Sequence, residues 1–282
     1  MIPAPQGWDA LVAHIGAHPV EGAPADMRAA FEALSCGGPS GHPMTLGGIE
    51  CRRHGPDRGH PILWLHGGGL VFGSPASHAA GASHLSRLTG RPVILPAYRL
   101  APEHPWPAPL EDAAAVLRAL GRADVVGDSA GGMLALNLAQ GDSAAVTALG
   151  LISPNTDRTG ASLTRRAQSD LDLMNDDATD LRLARMAFGE DPAARDGASP
   201  LQGDLSHLPP VWITAATSEV LLDDTLLLVR ALGLAGRPVE AHVEPGLCHM
   251  WTLWPNALDQ TRRTYASLAE FLNRTTAEVR ET

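Results

Sequence analysis

The sequence predicts an α/β protein built on a mostly parallel central sheet with helices on both faces. Two observations predict it. Short apolar runs near Ile62, Val93, Val125, Leu149, Trp212 and Ala241 have the length of buried strands, and amphipathic segments near His84, Ala114, Leu134, Leu227 and Leu268 alternate with them. Such alternation builds a parallel sheet covered on both faces. The chain has 282 residues, 44% hydrophobic and 18% charged, enough to bury one large core and too apolar for disorder to dominate.

In chain order, residues 1–43 hold two short helical stretches, 8–14 and 25–34, separated by proline and glycine. Residues 44–53 read as one or two strands. The alternating core follows over 44–155 and 201–282. Residues 156–200 interrupt it, too long for a simple connection and helical in character around 170–186. No internal repeat is visible. The start, Met1-Ile2-Pro3-Ala4-Pro5, carries no basic region followed by an apolar core, and no run of about 18 apolar residues occurs. A cytoplasmic protein without membrane insertion is the expectation.

Chemistry concentrates at Gly127-Asp128-Ser129-Ala130-Gly131-Gly132. The apolar run Ala123-Asp124-Val125-Val126 leads into this G-x-S-x-G pattern, and an amphipathic segment, 130–139, follows. Strand, sharp turn and helix around a serine is the setting of a nucleophile elbow. Glycines at 127 and 131 fit a turn that a flanking Cβ would crowd. Upstream, the buried run Pro61-Ile62-Leu63-Trp64-Leu65 ends in His66-Gly67-Gly68-Gly69. Acyl transfer needs backbone N–H donors close to a developing oxyanion, and consecutive glycines let the backbone approach that closely. Ala130, after the serine, would supply a further N–H.

A serine nucleophile needs a base and a group that orients it. Glu219 follows the apolar run 211–215, in the loop past its C-terminal end, and is the favoured acid. Asp223 and Asp224 are rivals that open the amphipathic segment 222–234, where carboxylates read as favourable helix N-terminal charges. His249 follows Pro245-Gly246-Leu247-Cys248, beyond the alternating strand 239–244 and before the last helix. Of twelve histidines it alone holds that place, which makes it the candidate base.

With these blocks in this order the chain resembles the hormone-sensitive-lipase family of α/β-hydrolases, bacterial carboxylesterases in particular. His66 to Gly69, Tyr98-Arg99-Leu100-Ala101-Pro102-Glu103-His104-Pro105 and the serine block carry the match; Glu219-Val220-Leu221-Leu222-Asp223 and the block ending at His249 fit it. The resemblance spans roughly residues 47–271. It implies the α/β-hydrolase fold with a helical cap, Ser129 as nucleophile, Glu219 as acid, His249 as base, and the N–H groups of Gly68, Gly69 and Ala130 as oxyanion donors. It implies that residues 1–43 and 156–200 form a lid over Ser129, with Met174, Leu181, Met186 and Phe188 as pocket-facing candidates or inward packing of an amphipathic helix. The expected substrates are short- to medium-chain carboxylic esters; lactone or amide hydrolysis would use the same residues. A non-catalytic small-molecule-binding protein on this fold is the alternative of a different class, as in the plant gibberellin receptors, which are similar to this family yet lack the histidine that His249 supplies here. Many members have Asp where Glu219 stands, an aromatic residue where Leu70 follows the glycines, and Asn where Met133 follows Gly132. The strand near Ala241 and the helix 257–271 are candidates for pairing in a homodimer, as in similar proteins.

The remaining composition narrows the field. All 21 basic residues are arginine, which excludes a lysine Schiff base, a pyridoxal phosphate enzyme and a P-loop lysine. A net charge of -10 disfavours nucleic acid as a partner. The arginines are scattered and read as solvated surface. Glu103 or Arg99 reads as a buried charge in a network bracing the glycine loop. Three cysteines, Cys36, Cys51 and Cys248, suggest no disulfide framework, and His14 and His18 lack a third ligand. No metal or cofactor is expected, and Cys248 reads as a small packing residue.

Overall fold

Two helices open the chain, α1 (Trp8–Ala17) and α2 (Pro24–Leu34), in a computed structural model that describes residues 4–281. Met1 to Pro3, which the reading of the chain start for a leader included, lie outside the described residues. Leu11 and Ile15, one turn apart on α1, are buried with Phe31 and Leu34 of α2 against Trp251 and Trp254. A hairpin follows, β1 (His42–Leu46) and β2 (Ile49–His54). Its two-residue turn is Gly47-Gly48, with φ of 57° and 84°. Positive φ at both turn residues matches the twist of the flanking strands, and glycine adopts it without strain.

The alternating core is β3 (Ile62–Leu65), α3 (Ala79–Thr89), β4 (Val93–Pro96), α4 (Ala108–Leu120), β5 (Ala123–Asp128), α5 (Ala130–Gly141) and β6 (Val146–Ile152). Three short helices, α6 (Thr164–Ala167), α7 (Asp177–Phe188) and α8 (Pro192–Gly197), occupy the long insertion. The core resumes with β7 (Val211–Ala216), α9 (Leu222–Leu234), β8 (Val239–Glu244) and α10 (Asp259–Glu281). The sheet has eight strands in the order β1-β2-β4-β3-β5-β6-β7-β8. β1, β2 and β4 pair antiparallel; every other pair is parallel.

Strands β3 to β7 are buried along their whole length, as a parallel sheet covered on both faces requires. Successive side chains of β3 alternate between two cores. Leu63 and Leu65 join the core of α4, α5 and α9; Ile62 and Trp64 join that of α3 and α10. The edge strand β8 alternates between half-buried and exposed. Among the described residues no helix is long and apolar enough to cross a membrane.

The insertion departs from its local pattern. Helical character is expected from about residue 170, but α7 starts at Asp177, because the Asp176 side chain accepts the Thr179 N–H at 2.8 Å and caps the helix there. The stretch before it is a turn whose polar side chains reach other parts of the chain.

Candidate active site

Adjacent parallel strands bring the two glycine-rich turns together. β3 pairs with β5 so that Leu65 lies opposite Gly127, and both strands hand over to their loops at the same sheet edge. Ser129 stands between β5 and α5 with φ 53° and ψ −123°, a strained conformation for a non-glycine residue that costs on the order of 1–3 kcal/mol. The turn is packed too tightly for other residues at its flanks. A Cβ on Gly127 would lie 2.3 Å from the Gly131 carbonyl oxygen, and one on Gly131 would lie 2.0 Å from that of Leu65.

The three residues singled out in sequence converge here. Ser129 Oγ lies 2.9 Å from His249 Nε2, and His249 Nδ1 lies 2.8 Å from Glu219 Oε2. Glu219 is wholly buried; its other oxygen accepts Ser153 Oγ–H at 2.9 Å and Ala216 N–H at 2.5 Å. An anionic Glu219 accepts a hydrogen bond from Nδ1–H, so the proton stays on Nδ1 and Nε2 is left as acceptor for the serine hydroxyl. Burial by itself lowers the affinity of His249 for a proton. The hydrogen bond and charge of Glu219, with Asp172 and Asp128 nearby, outweigh it and raise the imidazole above its ordinary value. Burial also lifts the Glu219 carboxyl, against the hydrogen bond from His249.

Gly68 and Gly69 face Ser129 across the same cavity, with φ of 119° and 60°. The Gly68 carbonyl accepts the N–H groups of Val71 and Phe72, and Gly67 N–H donates to Asp128 Oδ2 at 2.9 Å. His66 stacks on Tyr98 with ring centroids 4.1 Å apart. Burial, reinforced by His78, holds the His66 imidazole down to about 3, so it is neutral and structural.

Asp128, between Gly127 and Ser129, was not singled out in sequence. Its carboxylate takes Trp64 Nε1–H at 2.8 Å, His78 Nε2 at 3.0 Å and the Gly67 N–H, tying the serine turn to the glycine loop. The signal was available: an acid ending a wholly buried strand must find donors.

Several expectations are corrected. Neither Glu103 nor Arg99 is buried, their side chains being 54% and 42% exposed. The brace on the glycine loop is Arg28 of α2, which donates to Val71 O at 2.9 Å and Ala101 O at 2.9 Å and pairs with Glu103. Asp223 and Asp224 lie in the first turn of α9, as the sequence predicts, and their side chains also bind the insertion. Asp223 Oδ2 accepts the N–H groups of Leu163 and Thr164, while wholly buried Asp224 accepts those of Thr156 and Asp157 and pairs with Arg165 at 2.7 Å. Not all arginines are solvated: Arg158 and Arg165 are buried around Asp180, and Arg91 is buried against Asp124.

The cavity beside Ser129 has a volume of about 50 Å³. Val20 and Phe31 from the N-terminal region line it, as do Phe72, Met250 and residues of the insertion. Of the four pocket-facing candidates only Met174 lines it. Leu181 is 37% exposed, Phe188 packs on Trp106, and Met186 joins the core. The helical period of α7 turns Thr179 and Leu183, one turn apart, toward the cavity instead. Cys248 is buried, and burial, with Asp172 and Glu219 beside it, pushes its thiol well up, so it packs rather than reacts. His14 and His18 lie ring to ring at 4.3 Å, with His14 Nε2 on the Leu34 carbonyl at 2.7 Å. Among the described residues no group of three or more His, Cys, Asp or Glu side chains is arranged to hold a metal ion.

Comparison with known proteins agrees with this architecture. Residues 62–253 match the Abhydrolase_3 family, described as an alpha/beta hydrolase fold. An acetyl-hydrolase of Streptomyces hygroscopicus is 38% identical over 259 residues, covering 86% of this chain and 85% of the relative. The carboxylesterase/phospholipase LipF of Mycobacterium tuberculosis is 33% identical over 242 residues, covering 78% of this chain; the match spans 63% of LipF's own length. A crystal structure of an esterase from the bacterial hormone-sensitive lipase family superposes with a TM-score of 0.88 at 28% identity, over 95% of this chain and 97% of that one. An eight-stranded sheet, a serine turn at its centre and relatives matched along most of their sequence lead to one assignment: the chain belongs to the hormone-sensitive-lipase family of α/β-hydrolases.

Proposed function

We propose that this carboxylic ester hydrolase works through Ser129, His249 and Glu219, and that it prefers short- to medium-chain acyl esters. The observation that carries the proposal is the unbroken hydrogen-bonded line from Glu219 through His249 to Ser129 Oγ, whose serine end shares a cavity with Gly68 and Gly69. His249 Nε2 takes the hydroxyl proton as Ser129 Oγ attacks the ester carbonyl. The N–H groups of Gly68, Gly69 and Ala130 stabilise the oxyanion; one such donor is worth about 2.7–4 kcal/mol in studied hydrolases. His249 then passes its proton to the leaving alcohol. Water, deprotonated by His249, attacks the acyl-enzyme and releases the acid. Glu219 holds the tautomer and stabilises the imidazolium.

The cavity of about 50 Å³ supports the preference for small acyl groups, and the name of the Streptomyces relative, acetyl-hydrolase, agrees with it. The test is initial rate on p-nitrophenyl esters of increasing chain length, for the wild type and Ser129→Ala together. Turnover that peaks at short chains and disappears in the variant is expected. Full activity of Ser129→Ala removes the serine from the mechanism, and a peak at long chains removes the proposed preference.

A further inference from the structure

Asp172 lies in the turn before α7, in the insertion, and has no place in the proton transfers above. Its half-buried carboxylate nevertheless reaches both loops that carry them. Oδ1 accepts His249 N–H at 3.0 Å and Met174 N–H at 3.1 Å; Oδ2 accepts Val220 N–H at 3.0 Å. Val220 follows Glu219 directly, so one carboxylate holds the backbone of the base and the backbone next to the acid. The two loops leave the paired strands β7 and β8 where Ala216 lies opposite Glu244, and Asp172 adds a bond to each beyond the end of that pairing.

The surrounding turn is stitched to the acid loop as well. Thr164 Oγ1 donates to Val220 O at 2.9 Å and accepts Asp223 N–H at 2.9 Å. Asp223 Oδ2 accepts the Leu163 N–H at 2.8 Å, and Gln168 Nε2 donates to Thr217 O at 3.2 Å. A flap that swings freely over the serine would not place so many bonds on the loop carrying the acid. Hydrogen bonds to a charged acceptor are shorter and about twice as strong as neutral ones, so the carboxylates of Asp172 and Asp223 make the stronger of these stitches, and only Asp172 reaches both loops.

Resting on the reading of Glu219 and His249 above, we propose that Asp172 is a positioning residue: a carboxylate from the insertion that clamps the acid and base loops in register and adds negative charge beside the imidazole. The insertion thereby sets the geometry of the proton relay as well as roofing the cavity. Charged groups facing His249 are Glu219 from the loop after β7, Asp172 from the insertion, Asp128 from the serine turn and Asp180 from α7. Asp180 is already paired with Arg158 and Arg165. Among the described residues Asp172 has backbone amide donors and no arginine partner; burial raises its carboxyl above the ordinary range, and His249 with those donors draws it back.

The experiment is Asp172→Asn, near in shape but uncharged, compared with wild type on p-nitrophenyl acetate across pH, with folding checked by circular dichroism. The asparagine amide cannot accept from both loops at once. kcat is expected to fall by about 10²-fold, the scale of a misplacement near 1 Å, with KM little changed. The acid limb of kcat/KM should move to lower pH, since removal of a negative charge makes His249 easier to deprotonate. A brick with only a packing role would leave that midpoint where it is. Amide exchange on the wild-type protein is the second arm: Val220 and His249 N–H should be protected despite lying in loops. An unshifted midpoint with wild-type kcat, or free exchange at both amides, overturns the proposal. A wild type inactive on every ester would instead defeat the esterase mechanism, and the exchange arm would then decide the clamp by itself.

Discussion

Replacing Glu219 by glutamine is the substitution whose consequence the structure fixes most closely. The carboxylate has two oxygens and two kinds of neighbour: Oε1 faces the Ala216 N–H at 2.5 Å and Ser153 Oγ at 2.9 Å, and Oε2 faces His249 Nδ1 at 2.8 Å. Glutamine offers one oxygen and one NH2 in their place. The Ala216 N–H can only donate. An NH2 turned toward it would oppose two donors in a wholly buried site, at a cost of about 1–3 kcal/mol. The amide oxygen therefore stays on Ala216, and the NH2 is forced onto His249 Nδ1. Nδ1 must then accept, so the imidazole proton moves to Nε2, which faces Ser129 Oγ. The serine loses its base while the fold and cavity stay intact.

The corresponding acid-to-amide change in a serine protease lowers kcat by about 10⁴, which is roughly 5.4 kcal/mol of barrier at 1.36 kcal/mol per decade. A loss of that order is expected for Glu219→Gln in steady-state hydrolysis of p-nitrophenyl acetate, read against Ser129→Ala as the floor. Asp223→Asn is the control. Its carboxylate binds the N–H groups of Leu163 and Thr164, and no contact with His249 exists among the described residues. It should stay within several-fold of wild type, as asparagine keeps the shape and one amide oxygen that can still accept from this exposed stretch of the insertion. Glu219→Gln within tenfold of wild type would refute the tautomer argument, and a larger loss in Asp223→Asn would transfer the acid role to that residue.

Other expectations follow from the same geometry. Since His249 must be neutral to accept the serine proton and its affinity for protons is raised, kcat/KM should rise with pH through a midpoint above the ordinary imidazole value of about 6.5; a pH–rate profile with a midpoint below it contradicts the arrangement. Leu183→Ala removes a buried side chain whose atoms sit against Gly69, so it should cost about 2–5 kcal/mol in denaturant unfolding and shift the preferred acyl chain to longer esters. Asp224→Ala leaves Arg165 short of a buried partner and two backbone N–H groups unmet; a loss of about 3–5 kcal/mol is expected from thermal or denaturant melts.

What could be read in the sequence follows from how local each signal is. Strands β3 to β7 were legible because a strand buried on both faces is a continuous apolar run. The serine turn was legible because its crowding admits only glycine at 127 and 131. Glu219 and His249 were legible because each follows directly on a strand whose end lies at the sheet edge. The partners of the acids were not. Asp172 binds a residue 77 positions away, Asp128 one 61 away and Asp224 one 68 away. A local reading gives Asp224 to the start of its own helix, an interaction worth about 0.3–1 kcal/mol on an exposed surface. Asp224 does lie in that first turn, but burial adds a larger demand. A wholly buried carboxylate must meet donors or lose several kcal/mol, and the insertion supplies them.

The same reasoning separates two tasks within the insertion. Residues 163–174 are committed to the acid and base loops through backbone and carboxylate bonds, so most changes there should disturb the proton relay along with the pocket. α7 is different. Thr179 and Leu183 present the cavity with side chains from a helix that is held by its Asp176 cap and by Asp180 on Arg158 and Arg165. Pocket size can therefore change at residue 183 without moving His249. Selection for new acyl groups on this scaffold should accumulate on the inner face of α7 and spare Asp172, which stands behind the cavity wall and holds both loops that work beneath it.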